Sequence, residues 1–211
     1  MKSFREYGSR DFDRSKPTHH HTCMTAKPKP KSLNDPRHTA VHEAGHAVIG
    51  RVLTLVCGGV STEPDFETGE AGSAIIADHF ACTYAWEKRG KVRTDDAALH
   101  GRIIAYMAGA EAEVVILGST QGGDGNDRLQ IALMSEELVT GADWDRLEAR
   151  LRAMTRMLVR RHRVLIERVA DTLIAKGKLT EKQLDRLVGR SVDDVKVNAP
   201  TLLLMSGAAR K

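Results

Sequence analysis

The segment of this sequence whose residue types and spacing could do chemistry is His42-Glu43-Ala44-Gly45-His46. On an α-helix, positions four apart share a face and lie about 6 Å apart along the axis, so the imidazoles of His42 and His46 can converge on one ion. Neutral imidazole nitrogen at about 2.0–2.1 Å suits Zn2+, and two histidines leave room for a third protein ligand and a water molecule. Glu43 projects beside that face, where it can take a proton from the attacking water. Ala44 and Gly45 are small enough to let another backbone pack close to the ion. The pattern predicts a zinc-dependent hydrolase with His42 and His46 as ligands and Glu43 as the catalytic base.

A third ligand has to come from elsewhere, because the thirteen residues after His46 contain no His, Asp or Glu. That excludes a histidine six residues beyond His46, the arrangement of H-E-x-x-H-x-x-G-x-x-H enzymes. The downstream candidates are Glu111, Glu113, Asp124 and Asp127. A glutamate would complete a His2Glu set and Asp127 a His2Asp set, and spacing alone does not choose between them.

The elements that must position these residues are mostly helical. Asn34-Asp35-Pro36 opens a helix, since Asp35 can cap exposed amides and Pro36 suits the first helical position. Apolar residues at steps of three and four (Ala40, Val41, Ala44, Ala47, Val48, Val52) bury one face of it before Cys57-Gly58-Gly59 stops it. From Val60 to Ile76 turn residues and the short run Gly72-Ser73-Ala74-Ile75-Ile76 predict a small hairpin. A polar loop then leads to a long helix from Thr94 to Leu117, closed by Gly118. The glycine-rich segment from Gln121 to Asp127 reads as a loop whose last acidic residues start the next helix. A long amphipathic stretch follows, with Trp144, Leu147, Leu151, Met154, Leu158, Leu165, Val169 and Leu173 on one face. Its opposite face, with Arg150, Arg152, Arg156, Arg160, Arg161 and Arg163, reads as a solvated surface rather than a nucleic-acid site. A short helix from Thr180-Glu181 to about Val188-Gly189 completes the core. The expected fold is mainly α with a small β-hairpin.

Composition sets the outer limits. With 41% hydrophobic residues in 211, the chain can bury a core, which excludes wholesale disorder. No apolar run is long enough for a membrane span, and the first twenty residues lack the apolar region of a signal peptide, so a cytoplasmic protein is expected. Cys23, Cys57 and Cys82 form no C-x-x-C pair, which argues against a disulfide framework or a zinc ribbon. A net charge of +4 with only 4% aromatic residues gives little basis for a nucleic-acid partner. Residues 1–32, ending in Lys27-Pro28-Lys29-Pro30-Lys31, read as a flexible basic arm, and His19, His20 and His21 within it as a solvated run. Residues 33–190 form the expected folded domain and 191–211 a tail.

Taken in order, His42-Glu43-Ala44-Gly45-His46-Ala47, a hairpin, Gly109-Ala110-Glu111-Ala112-Glu113 running to Gly118, and Gly125-Asn126-Asp127 resemble the peptidase domain of the FtsH family of ATP-dependent zinc metalloproteases. The resemblance spans about residues 36 to 188, since Met157 to Val188 is similar to the closing helices of that family. It implies that His42, His46 and Asp127 bind zinc, that Glu43 is the base, and that Glu113 steadies a ligand histidine from behind. Glu111 matches a non-acidic family position and is expected as a surface carboxylate. The strand Gly72, Ser73, Ala74, Ile75 and Ile76 matches the edge on which family members lay an extended substrate. The departures are equally specific. Val114 replaces the second of two paired glutamates, Gly122-Gly123-Asp124-Gly125 replaces a threonine-rich approach to Asp127, and no G-x-x-x-x-G-K-[ST] phosphate loop occurs. The expected activity is therefore zinc-dependent cleavage of peptides or unfolded chains, either unaided or fed by a separate ATPase. A homo-oligomer is possible under that resemblance, and a protease-like module that only binds a protein partner is the alternative.

Overall fold

The structure, a computed structural model, describes residues 35–64, 71–138 and 141–189. The expected basic arm, including His19, His20 and His21, and the tail 191–211 lie outside the described residues, as does Cys23. In chain order the elements are α1 (Pro36–Val52), β1 (Cys57–Ser61), β2 (Ser73–Ile76), α2 (His79–Lys88), α3 (Asp95–Leu117), α4 (Gly125–Leu138), α5 (Gly141–Arg161), α6 (Arg163–Lys176), β3 (Lys178–Leu179) and α7 (Glu181–Val188). The fold is mainly helical with one small antiparallel sheet, as the sequence predicts.

Helix α1 starts where its cap dictates. Asp35 Oδ1 accepts a hydrogen bond from the Arg37 amide at 2.9 Å, and Pro36 occupies a position where a missing N–H leaves no bond unmade. The apolar spacing predicts one buried face, but Ala40, Val41 and every residue from Glu43 to Gly50 are buried. The small residues among them let neighbours close on the helix from several sides: α3, α6, β1 and β2 all pack against it. Helix α3 comes closest. A Cβ placed on Gly45 would fall 2.5 Å from the Ala108 carbonyl oxygen and 2.9 Å from Ala112 Cβ, so the two backbones meet where neither side offers a side chain of any size.

Three features depart from the sequence reading. Cys57-Gly58-Gly59 does not stop α1, which ends at Val52; these residues begin β1, the central strand in the order β2-β1-β3. Close packing is the reason, since a Cβ on Gly59 would lie 2.8 Å from the Leu179 carbonyl oxygen on β3. The segment read as a polar loop contains α2, capped by Asp78 and held by two buried residues one turn apart, Cys82 and Trp86. Trp86 also donates its Nε1–H to the Thr54 carbonyl oxygen at 2.7 Å. The long amphipathic stretch breaks at His162, which allows α5 to lie along α3 while α6 turns to lie along α1.

Apolar burial holds these helices far more than surface charge does. Helix α6 buries Ile166, Val169 and Leu173, each contributing about 1.5–3 kcal/mol, whereas the exposed Arg163–Glu167 pair one turn apart contributes about 0.3–0.5 kcal/mol. Cys57 and Cys82 are free and buried; burial pushes the Cys57 thiol up to about 12, leaving it inert at neutral pH. No helix among the described residues is long and apolar enough to cross a membrane.

The α1–α3 contact gives a stability test. Gly45→Ala should destabilise the fold by about 1–3 kcal/mol through overpacking, despite the better helix propensity of alanine. Urea unfolding should show a lower midpoint at unchanged slope.

Candidate metal centre

Three helices deliver the centre. Helix α1 presents His42 and His46 one turn apart, with ring centroids separated by 4.6 Å. Helix α4 begins at Gly125 and so places Asp127 in its first turn. Asp127 Oδ2 lies 3.0 Å from His42 Nε2 and 3.1 Å from His46 Nε2. Helix α3 passes beneath at Gly109, where a Cβ would fall 2.5 Å from His46 Nε2 and 2.6 Å from His42 Nε2. Any residue but glycine would fill the space into which both nitrogens point.

The opposite ring nitrogens are already committed. His46 Nδ1 donates to the Ala105 carbonyl oxygen at 2.7 Å, and His42 Nδ1 donates to Glu113 Oε1 at 2.6 Å. With the proton on Nδ1, each neutral ring turns an Nε2 lone pair towards the Asp127 carboxylate, so three electron-rich atoms face one another. Such a group calls for positive charge at its centre. Ligands about 2.0–2.1 Å from a tetrahedral ion sit about 3.3 Å apart, close to the separations found here, so the residues fit a divalent cation. His42, His46 and Asp127 form a cluster able to hold a metal ion.

Protons serve the same end in the metal-free chain. Burial works against a charged His42, but hydrogen bonds to Asp127 and Glu113 overcome it and raise the ring to about 10. Burial also opposes a charge on His46, and the Asp127 carboxylate raises it. Asp127 itself is held well below the usual carboxylate range: burial would lift it, but His46 and His42 outweigh that.

Behind the imidazoles sits Glu113, buried on α3. Its Oε1 accepts from His42, while Oε2 accepts from His38 Nδ1 at 2.9 Å and from the Gln121 amide at 3.0 Å. Burial alone would raise this carboxyl; the three hydrogen bonds hold it low. A metal-bound histidine whose far nitrogen is anchored to a carboxylate keeps its tautomer and its aim.

Of the four acidic candidates for third ligand, Asp127 alone joins the two imidazoles. Glu113 backs His42, and Asp124 pairs with Arg128 at 2.8 Å. Glu111 corrects the expectation of a surface carboxylate: it is only 5% exposed and is clasped by Arg156 Nε at 2.9 Å and Nη2 at 3.2 Å. The cause is that α5 covers this side of α3, and Arg156, with Arg152 at 3.9 Å, reaches the carboxylate from an Arg-rich face that stays exposed to solvent, as expected. Sequence reasoning missed His38, whose signal is its spacing: His38, His42 and His46 fall at four-residue steps along one stripe of α1.

The centre opens into a cleft of about 460 Å3 bordered by Glu43, by Gly72, Ser73, Ala74 and Ile76, and by Gly122, Gly123 and Gly125 of the loop that leads into α4. Glu43 is buried at the cleft wall, and Gly72 is pressed against it, since a Cβ there would fall 2.9 Å from Glu43 Cγ. Among the described residues β2 pairs only with β1, so its other edge is unpaired. Ile75, expected on the same strand edge, is not among the residues that line the cleft. Its side chain is 61% exposed.

No family model fits the chain, and no curated protein is similar to it.

Two outcomes test the centre. Asp127→Ala should abolish stoichiometric metal binding, whereas Glu113→Ala should weaken it about 10- to 100-fold, both read by competition with a chromophoric chelator. The raised His42 contributes stability to the metal-free chain that is fully present below about 6.5 and is lost as pH rises through about 10. Metal must displace that proton, so affinity should rise from pH 6 to 8, and calorimetry in buffers of different ionisation enthalpy should show proton release on binding.

Proposed function

We propose that this chain is a zinc metallopeptidase that hydrolyses main-chain amide bonds of unfolded polypeptides. One observation carries the reading: the His42, His46 and Asp127 donor atoms converge in a cleft lined by Glu43 and, beside it, by a strand whose outer edge is unpaired among the described residues. Two neutral imidazole nitrogens and one carboxylate favour Zn2+ over harder ions such as Mg2+ or Ca2+. The ordered resemblance to FtsH-type peptidases supports the same assignment, with His42, Glu43, His46 and Asp127 at the matching positions.

Zinc, when bound, supplies a Lewis acid for the scissile carbonyl and lowers the pKa of a water towards 7. The protein groups do the rest. An extended substrate pairs its backbone with the open edge of β2, which aligns one peptide bond over the centre and demands little of the side chains. Glu43 takes the proton of the attacking water and hands it to the leaving amine. Glu113 and the Ala105 carbonyl hold the two ring Nδ1–H groups, so that both Nε2 atoms stay aimed at the same point. An unfolded chain offers extended segments freely, whereas a folded protein holds most of its own in secondary structure. The substrate is therefore an unfolded chain, free in solution or delivered by a separate ATPase.

Glu43→Gln separates chemistry from metal binding. The variant should retain one zinc per chain while casein cleavage without ATP falls by about 10^2- to 10^4-fold. Equal cleavage by both proteins would remove Glu43 from the mechanism. Zinc binding with no cleavage by the wild-type chain would overturn the peptidase reading.

A further inference from the structure

Among the described residues one side-chain polar atom is buried with no hydrogen-bond partner, and it is Arg102 Nε. Buried donors are almost always paired, so an orphan on a permanently charged group calls for a physical account.

Its position supplies one. Gly109, Tyr106 and Arg102 occur at steps of three and four along α3 and so share a stripe of that helix. Gly109 lies beneath the two Nε2 atoms of the metal centre. Tyr106 lines the cleft and meets the His46 ring edge-on, with centroids 6.3 Å apart. One turn further out, the Arg102 guanidinium lies over the Tyr106 ring, 5.7 Å from its centroid. The stripe therefore leads from the centre to the Tyr106 end of the cleft. At 1.5 Å rise per residue Arg102 stands about 10 Å along the axis from Gly109, which an extended peptide covers in about three residues.

No carboxylate of the described chain neutralises this charge. The ion-paired arginines are Arg37, Arg51, Arg128, Arg152, Arg156 and Arg163, and Arg102 is not one of them. Asp78, which with Arg102 influences Cys82, uses its Oδ1 to cap α2 through the Ala81 amide at 2.7 Å. The cleft lining contains Glu43, Glu113 and Asp127 and neither lysine nor arginine, so it offers a substrate carboxylate no cation of its own.

We propose that Arg102 is a specificity-determining residue that receives a substrate carboxylate, about three residues from the cleaved bond, on the Tyr106 side of the cleft. The inference rests on the peptidase reading for its substrate. A guanidinium offers a planar fork of N–H donors that matches a carboxylate, and an anion beside it offsets a charge that no ion pair of the described chain balances. The carboxylate can belong to an Asp or Glu side chain or to the end of a peptide.

Binding to zinc-loaded Glu43→Gln protein tests this without turnover. The probes are labelled eight-residue peptides carrying one Glu or one Gln at successive positions, each made as C-terminal acid and as amide, with affinities read by fluorescence anisotropy. One placement of the carboxylate should bind about tenfold more tightly than its neutral twin. A preference among the internal Glu peptides identifies a side chain, and a preference for the acid over the amide identifies a chain end. Adding Arg102→Gln should bring the ratio to about one, while Arg102→Lys should leave part of it, with zinc stoichiometry reporting an intact fold. Equal affinities for all twins, a preference that survives Arg102→Gln, or no binding of any peptide would overturn the proposal. Cleavage of a neutral peptide by the wild-type chain reports separately on the peptidase reading. A carboxylate preference with no cleavage would leave Arg102 as a binding determinant and remove the enzyme, whereas cleavage without a preference would do the reverse.

Discussion

The close approach of α1 to α3 is the constraint on which the rest of the structure depends. Gly45 lets the Ala108 carbonyl into van der Waals range of α1, and Gly109 leaves open the space towards which His42 and His46 turn their Nε2 atoms. Both glycines are required for the same reason, though one serves packing and the other serves the ligands. Because the backbones touch, α3 can also reach behind the histidines, with the Ala105 carbonyl on one ring and the Glu113 carboxylate on the other. Metal-site geometry and core packing are thus one contact viewed from two sides.

Charge in this region is arranged in layers. Asp127 and the paired imidazoles form the inner group, and Glu113, gathered by His42, His38 and the Gln121 amide, forms the group behind it. Glu111 looks equivalent in sequence but faces the other way and is neutralised by Arg156 against α5. Two carboxylates two residues apart on one helix are therefore kept on opposite sides of it, each with its own cations. Their separation keeps the Glu111 charge away from the His42, His46 and Asp127 cluster.

Much of this was legible in the sequence wherever the signal is local. Asp35-Pro36, Thr94 and Thr180 mark helix starts because capping acts within a turn, and all three cap the helices that follow. The spacing of His42 and His46 likewise carries its own geometry. What escaped was set at long range. Helix α2 depends on Cys82 and Trp86 finding the other elements, too sparse a pattern to read. Strand β3 has two residues, and the glycines of β1 resemble a helix stop until the carbonyl of β3 is seen against them. Residue types left four acids open for the third ligand, and only the turn of α4 towards α1 brings Asp127 to the imidazoles and leaves Asp124 at the surface with Arg128. The reach of Arg152 and Arg156 to Glu111 has the same origin, since a long side chain on a solvated face can still extend its head to a carboxylate on the neighbouring helix.

The small sheet is asymmetric in a way that limits how it can fail. Among the described residues its central strand is flanked on one side by the two residues of β3 and on the other by the four residues of β2, so both outer edges of the sheet are short. A longer and flatter border would recruit further copies and seed open-ended stacking. With four residues on β2 and two on β3, neither edge is long enough to template a second layer, and the irregularity between Cys57 and Val60 adds local twist. The brevity of both outer strands is thus itself a guard against polymerisation.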